Sequence, residues 1–239
     1  ANGLQTYIST SATAGQQRVL DTTNYPQWCI SIQQKVAYFI RNHIVAYFIG
    51  HPHLDHTAGL VVISTIDYRL QINNSSKNSL TSNRLEPSTP KYIVGLSSTM
   101  NAIKQNIFNN LIWPDFEMLG FYKYLRHDDI QQPINIVEDI LQHQNYGVMK
   151  NEIHEQYANV TMHMFRTCHF NLNSTAFLLS QMRDNQVVDQ VLYFSDTGKP
   201  NFGACDYSKQ MEIIWNSTAV QPHTLKAIFL ESSFTDATP

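Results

Sequence analysis

Charged side chains are scarce in this chain of 239 residues. They make up 15% of the sequence, with 16 basic and 19 acidic residues and a formal net charge of −3, whereas soluble proteins average about 25%. This near balance argues against a broad basic surface for nucleic acid and against a polybasic surface for membranes. Asn, Gln, Ser and Thr therefore have to supply most of the polar surface.

Cysteine is also rare. Cys29, Cys168 and Cys205 are odd in number, lie far apart and form no CxxC pair, which argues against a disulfide framework. We expect buried or incidental thiols. Cys168 adjoins His169, but no third partner in the sequence supports a nucleophilic cysteine.

Long hydrophobic runs are missing. The longest candidate, residues 44–49 (IVAYFI), is far shorter than the ~20 apolar residues of a membrane-spanning helix. No signal peptide is visible, but the chain begins at Ala1 rather than Met. A cytoplasmic and an exported, for example periplasmic, location therefore both stay open.

Apolar residues are nevertheless abundant overall. They account for 43% of the chain and aromatic residues for 11%, which is ample material for a globular core. The length favours one large domain over residues 1–239. Helical and strand-like segments intermingle along the chain, and this pattern indicates an α/β or α+β protein.

Periodicity and turn residues predict the individual elements. We expect a surface loop over residues 73–90, where Asn, Ser, Thr and Pro dominate. The helix over 100–111 should be capped by Ser98 or Thr99 and end at Trp113-Pro114. The predicted helices are 27–42, 100–111 and 207–215, and the predicted strands are 44–49, 92–94, 160–165, 175–179, 191–194 and 227–230.

A histidine-rich motif follows the first predicted strand. His51, His53, Asp55 and His56 fall within six residues, directly after a run that is typical of a strand buried on both faces. Side chains at the carboxyl end of such a strand project into the crevice where α/β folds place their sites. His51 and His53 can converge on one ion, while Asp55 and His56 can serve a neighbouring ion.

The ligand types indicate the metal. Imidazole and carboxylate without cysteine suit zinc or a similar divalent ion, in a catalytic site that keeps one coordination position for water. Isolated histidines are more often structural, and we interpret the remaining scattered ones in that way: His43, His127, His143, His154 and His223.

The motif also resembles that of a known family. Residues 51–60 (HPHLDHTAGL) are similar to the metal-binding signature of the metallo-β-lactamase fold, in the form found in class II cyclic nucleotide phosphodiesterases. Residues 93–96 with Thr99, and residues 107–115, resemble the middle segment of that family. Residues 1–4 resemble the turn that follows the family's first acid-glycine segment. The resemblance spans nearly the whole chain and implies an αββα sandwich of two mixed sheets flanked by helices.

The resemblance further implies a ligand set for two divalent metal ions, with zinc the expected metal. The first ion would be held by His51, His53 and His169, with His163 as the rival of His169. We prefer His169 because residues 173–178 resemble the strand that follows the family's histidine.

The second ion would be held by Asp55 and His56, and Asp196 would bridge both ions. From spacing alone, an aspartate before Thr197-Gly198 could equally well begin a turn.

The chain departs from the family at both ends. Family members have a strand and a glycine pair before the point where Ala1 stands, and a further metal histidine in a Gly-His segment beyond residues 228–231. Residues 231–236 still resemble the approach to that histidine. We therefore expect a single metallo-β-lactamase-like domain that lacks its first strand and its C-terminal portion.

The function implied by the resemblance is hydrolysis of 3′,5′-cyclic AMP or GMP to the 5′-nucleoside monophosphate by a metal-bridged hydroxide, with Asp55 taking or relaying the proton. The absence of a recognisable Ser/His/Asp elbow or phosphate-cradling glycine loop agrees with this. The substrate-binding residues are unknown, and the family allows a homodimer. Two alternatives are open: a hydrolase of RNA, lactone, β-lactam or thioester bonds on the same fold, and a nucleotide-binding relative without catalysis.

Overall fold

The computed structural model describes residues 25, 27, 29–67, 90–129, 132–141, 159–169, 172–198 and 206–231. Apart from Pro90, the predicted loop 73–90 lies outside them. The helices in the described residues are α1 (Ile32–His43), α2 (Leu54–Asp67), α3 (Ser97–Asn106), α4 (Tyr207–Trp215) and a π-helical segment over Ile136–Leu141. The strands are β1 (Ala46–Phe48), β2 (Lys91–Gly95), β3 (Tyr122–Arg126), β4 (Ile134–Asn135), β5 (Val160–His169), β6 (Leu172–Arg183), β7 (Gln186–Phe194) and β8 (Leu225–Leu230).

The strands form two sheets. Strands β1, β2 and β3 are parallel and adjacent in that order. Strands β4 to β8 form the second sheet, in which β4 to β7 pair antiparallel and β8 pairs parallel to β7. The second sheet is therefore mixed, as predicted, whereas the described part of the first sheet is entirely parallel.

Three hydrophobic clusters define four layers. Ile93 of β2 packs with Leu60 of α2 and Ile103 of α3 on the outer face of the first sheet. Val94, the next residue, packs with Phe177 of β6 between the two sheets. The outer face of the second sheet packs against α4. Alternating side chains of one strand thus serve two cores, and the predicted αββα sandwich is confirmed.

The depth of burial differs from the prediction for β1. All five residues of β2 are buried, but those of β1 are only half-buried. Tyr47 packs against the outer cluster and Phe48 against the cluster between the sheets. The apolar run in β1 is therefore covered on both faces, as predicted. Complete burial is found instead in β2, the central strand of the described sheet.

Helix α1 begins five residues later than predicted. Ser31 accepts a hydrogen bond from the Gln34 backbone N–H, and the Gln34 side chain accepts one from the Ser31 backbone N–H. This capping box satisfies the first free donors of the helix. This local cap sets the start of the helix.

Helix α3 also differs from its prediction. It begins at Ser97, after Leu96, which makes no side-chain cap. Asp128, distant in the sequence, accepts the hydrogen bond from the Ser97 backbone N–H instead (3.1 Å). The predicted caps Ser98 and Thr99 therefore lie inside the first turn.

The C-terminal end of α3 is earlier than predicted, at Asn106 rather than near Trp113. Asn109 Oδ1 accepts hydrogen bonds from the backbone N–H groups of Leu111 and Ile112, and Asn110 has a φ of 64°. Asparagine side chains of this kind compete with helical hydrogen bonds. They fold residues 107–115 into a loop.

Helix α4 was predicted with its observed bounds, but several strands are longer than expected. Strand β5 continues to His169, and β6 and β7 join through a two-residue turn at Asp184 and Asn185, both with positive φ. Positive φ at both turn residues gives the backbone the twist that a two-residue hairpin requires. Helix α2 and strands β3 and β4 had no sequence prediction.

The cysteines differ in part from the expectation of buried or incidental thiols. Cys29 is a free, buried thiol, but Cys168 is disulfide-bonded. The expectation of an incidental thiol is therefore wrong for Cys168. Cys205 lies outside the described residues.

Among the helices that the structure describes, none combines the length and apolarity needed to cross a membrane.

A buried ion pair joins four elements at the end of the parallel sheet opposite the histidine motif. Lys91 Nζ lies 2.6 Å from Asp67 Oδ1, and the two side chains are 3% and 2% exposed. Lys91 also donates a hydrogen bond to the Ile40 carbonyl of α1. Tyr122 donates to Asp67 Oδ2 (3.0 Å). Burial lowers the pKa of Lys91, and the adjacent Asp67 opposes that shift.

Replacing Asp67 by Ala is expected to lower the free energy of unfolding by about 3 to 5 kcal/mol, because it leaves the Lys91 ammonium buried and unpaired. Denaturant titration checks this. The double variant D67L/K91M should recover most of the loss, since replacing both charges by apolar groups is often close to neutral. A loss below about 1 kcal/mol in D67A would contradict the assignment.

Candidate metal centre

The predicted ligands converge where several elements end. His51 follows β1 after Ile49 and Gly50, and Asp55 and His56 occupy the first turn of α2. His169 is the last residue of β5, and Asp196 comes two residues after β7. The ends of strands from both sheets therefore meet at one site. Strand ends and the first turn of a helix carry the ligands, which is the support that a preorganised site needs.

The first group contains three histidines. Donor atoms of His51, His53 and His169 all lie within 4.8 Å of one another, and His169 Nε2 is 3.2 Å from His53 Nδ1. Two nitrogens bound at 2.0–2.1 Å to one tetrahedral ion would be about 3.3 Å apart. The observed separation is thus the one that a shared ion would impose.

The second group contains His51, His56 and Asp196, again within 4.8 Å. His56 Nε2 lies 3.4 Å from Asp196 Oδ2, and His169 Nε2 lies 3.6 Å from the same oxygen. Asp196 is buried. Its carboxylate therefore faces ligands of both groups, which is the position that a bridging ligand requires.

His51 has the least access to solvent. Its side chain is fully buried, its Nδ1 lies 3.2 Å from Ser195 Oγ, and its Nε2 has no hydrogen-bond partner. Burial, followed by the neighbouring imidazoles, lowers the pKa of His51 to about 4. The ring is thus neutral near pH 7, and a buried nitrogen lone pair without a donor is costly unless a cation binds it. These residues fit a divalent metal.

His169 is in a similar environment. Burial lowers its pKa, and Asp196 acts in the opposite direction. A neutral imidazole is the form that binds metals, so both histidines are held in the ligating state.

Asp55 is placed differently from the other predicted ligands. Its side chain is 71% exposed, and its Oδ2 lies 3.6 Å from His56 Nε2. It belongs to neither group of donor atoms and stands at the rim of the site. His163 is also outside both groups. Its ring stacks with that of Phe165 further along β5.

Two polar residues beside the ligands were not recognised as functional in the sequence. Ser195 contacts His51, and Glu231 Oε2 lies 3.5 Å from His56 Nδ1. Metal-binding histidines usually have such a partner on the second ring nitrogen. Glu231 could have been suspected because it follows an apolar strand, whereas the Ser195 contact spans 144 residues and leaves no local signal.

The known proteins that this chain resembles are cyclic nucleotide phosphodiesterases. The sequence model of the class-II cAMP phosphodiesterases matches residues 5–239. The chain is 34% identical over 232 residues to cAMP/cGMP-dependent 3′,5′-cAMP/cGMP phosphodiesterase A of Dictyostelium discoideum, covering 90% of this chain and 49% of that protein. A 3′,5′-cyclic-nucleotide phosphodiesterase of Aliivibrio fischeri is 29% identical over 210 residues, covering 86% and 50%.

A solved structure shows the same fold. The crystal structure of unliganded yeast PDE1 has a TM-score of 0.54 and 21% identity, and the match covers 83% of this chain and 47% of that chain. The chain spans about half the length of the curated relatives it matches. The family resemblance seen in the motif is confirmed, because the family match extends over almost all residues: this chain belongs to the class-II cAMP phosphodiesterase family.

Proposed function

We propose that the protein hydrolyses 3′,5′-cyclic nucleotides to 5′-nucleoside monophosphates with two divalent metal ions, most suitably zinc. The observation that carries this proposal is the pair of overlapping ligand groups around His51 and Asp196 in a chain of this family. The relatives' printed names, which specify cyclic nucleotides, support the choice of substrate.

His51 belongs to both groups of donor atoms, so it has to be assigned to one of the two ions. One imidazole nitrogen binds one ion, and Nδ1 of His51 faces Ser195, so Nε2 of His51 can serve one ion only. We assign it to the three-histidine group, where His53 and His169 complete the set. His56 and Asp196 then remain for the second ion, and Asp55, whose Oδ2 lies 3.6 Å from His56 Nε2, is assigned to it as a further ligand. Asp196 can serve both ions because a carboxylate has two oxygens.

Divalent ions at these ligands would supply Lewis acidity, lowering the pKa of water toward neutrality and neutralising charge on the phosphoryl oxygens. The overall reaction adds water across one bond: the phosphorus gains a hydroxyl, the P–O3′ bond breaks, and O3′ gains a proton. We assign to Asp55, which is exposed at the rim, the transfer of the proton from the attacking water toward O3′. Asp196 fixes the separation between the two groups of ligands.

The test is incubation of the purified protein with 3′,5′-cyclic AMP and cyclic GMP, with and without a metal chelator, with products separated by chromatography. We expect the 5′-monophosphate, and loss of its formation on chelation with recovery when Zn²⁺ is restored. In H₂¹⁸O, one ¹⁸O should enter the product phosphate. Formation of the 3′-monophosphate, or cleavage of lactone, thioester or RNA substrates in place of cyclic nucleotides, would overturn the proposal.

The disulfide at Cys168 supports an exported location over a cytoplasmic one, because disulfides persist in oxidising compartments. The test is thiol alkylation, in denaturant, of the protein taken directly from its native cells, because Cys168 is fully buried in the fold and would escape alkylation there in either redox state. We expect Cys168 to be unreactive before reduction, and alkylation of Cys168 without a reductant would contradict an oxidising location.

A further inference from the structure

We propose that Ser195 is a positioning residue for the metal centre. Its hydroxyl holds the imidazole of His51 in the orientation and tautomer that leave Nε2 directed at the metal. This inference rests on the metal centre of the proposed function but not on the identity of the substrate.

The contact is short and shielded. Ser195 Oγ lies 3.2 Å from His51 Nδ1, and the two residues are 1% and 0% exposed. Water cannot readily replace the serine in that position. When Nε2 binds a cation, Nδ1 must carry the ring proton, and it then donates to the serine oxygen. The partner of one ring nitrogen thereby sets the role of the other.

The backbone around Ser195 is shaped for this contact. A Cβ added to Gly50, the residue before His51, would lie 2.3 Å from both Cβ and Oγ of Ser195. Only glycine leaves the space that the serine side chain occupies. Ser195, which directly follows β7, is therefore packed against Gly50, the residue before His51.

Thr175 of β6 fixes both sides of that approach. Its hydroxyl donates a hydrogen bond to the Gly50 carbonyl (2.9 Å), and its carbonyl accepts one from the Ser195 backbone N–H (3.2 Å). Ser195 is thus held by its own backbone and by the packing against Gly50. Its hydroxyl needs no movement to meet His51.

A buried serine without function is the simpler alternative, and the same sheet offers examples of buried hydroxyls. Ser174 and Thr167 are fully buried, and their hydroxyls have no hydrogen-bond partner. Ser195 differs because its hydroxyl contacts Nδ1 of His51, while Nε2 of the same ring has no hydrogen-bond partner in the structure. Ser195 also directly precedes Asp196, so one short segment supplies a ligand and the support of another ligand.

The test compares Ser195→Ala with Ser180→Ala. Ser180 is a matched control: it is 2% exposed, and its hydroxyl accepts a hydrogen bond from Gln190 Nε2 (2.8 Å) in the same sheet. Zn²⁺ affinity is measured by competition with a chromophoric chelator. S195A should bind its tighter ion about 10- to 100-fold more weakly than wild type, and S180A should stay within about threefold.

A second measurement needs no variant. In the ¹⁵N-labelled, Zn²⁺-loaded wild-type protein, the long-range ¹H–¹⁵N spectrum of His51 should show a protonated Nδ1 whose hydrogen exchanges slowly. Zn²⁺ affinity within threefold of wild type in folded S195A, or metal bound through Nδ1, overturns the inference. Absence of cyclic nucleotide hydrolysis with both ions bound would instead overturn the proposed function and leave Ser195 in its role.

Discussion

Asp55→Asn is expected to lower the turnover of cyclic AMP by about 10²- to 10⁴-fold, the range typical of a lost general acid or base. Asparagine preserves the size of the side chain but neither accepts the proton nor supplies a negative charge to the second ion. Because the Asp55 side chain is 71% exposed, the free energy of unfolding should change by no more than about 0.5 kcal/mol. Steady-state kinetics and denaturant titration together make the measurement.

Asp189 offers the matched control for this variant. It is another exposed aspartate, with its Oδ1 3.2 Å from Lys226 Nζ and a side chain that is 58% exposed. Asp189→Asn should leave turnover unchanged. If D55N retains activity within a factor of two of wild type, Asp55 has no part in the reaction.

His169→Asn is expected to remove one of the two ions and to lower turnover by about 10³-fold. A divalent ion supplies several kcal/mol of transition-state stabilisation, and each 1.36 kcal/mol corresponds to a tenfold change in rate. Metal content by mass spectrometry should fall from two ions per chain to one or fewer. The same preparation gives the kinetic effect.

His163→Asn is the control, and it decides between the two histidines of β5. His163 stacks on Phe165 and belongs to neither ligand group, so the variant should keep both ions while losing some stability. If H163N loses an ion and H169N keeps both, the ligand assignment on β5 is reversed.

The elements that the sequence predicted well are those with strong local signals. The β-branched and aromatic run before Gly50 predicted β1. Helix α4 was predicted with its observed bounds, and the structure shows that Asp206 caps it. Helix α2 escaped prediction because Leu60, Val61, Val62 and Ile63 are consecutive, which does not distinguish a helix from a strand.

The remaining elements depend on distant partners. Strand β3 (YKYLR) has no regular alternation of apolar and polar residues and pairs with β2 across a long connection. The start of α3 is set by Asp128 rather than by a local cap. Such contacts have no signature in a single sequence, because the two partners are brought together only by the fold.

The candidate site divides in the same way. The spacing of His51, His53, Asp55 and His56 pointed to metal binding from composition and chemistry alone. His169 and Asp196 could be named only through the family resemblance, since nothing near them in the sequence distinguishes a ligand from a structural residue. The structure brings both beside the motif but leaves Asp55 at the rim of the site, with its side chain 71% exposed.

The most direct test of the two-metal centre is an anomalous diffraction measurement at the zinc edge on crystals of the Zn²⁺-loaded protein. We predict two peaks about 3.5 to 4 Å apart. One should be bound by His51 Nε2, His53 Nδ1 and His169 Nε2, and the other by His56 and Asp196. A single peak, or two peaks located away from these ligands, would contradict the account.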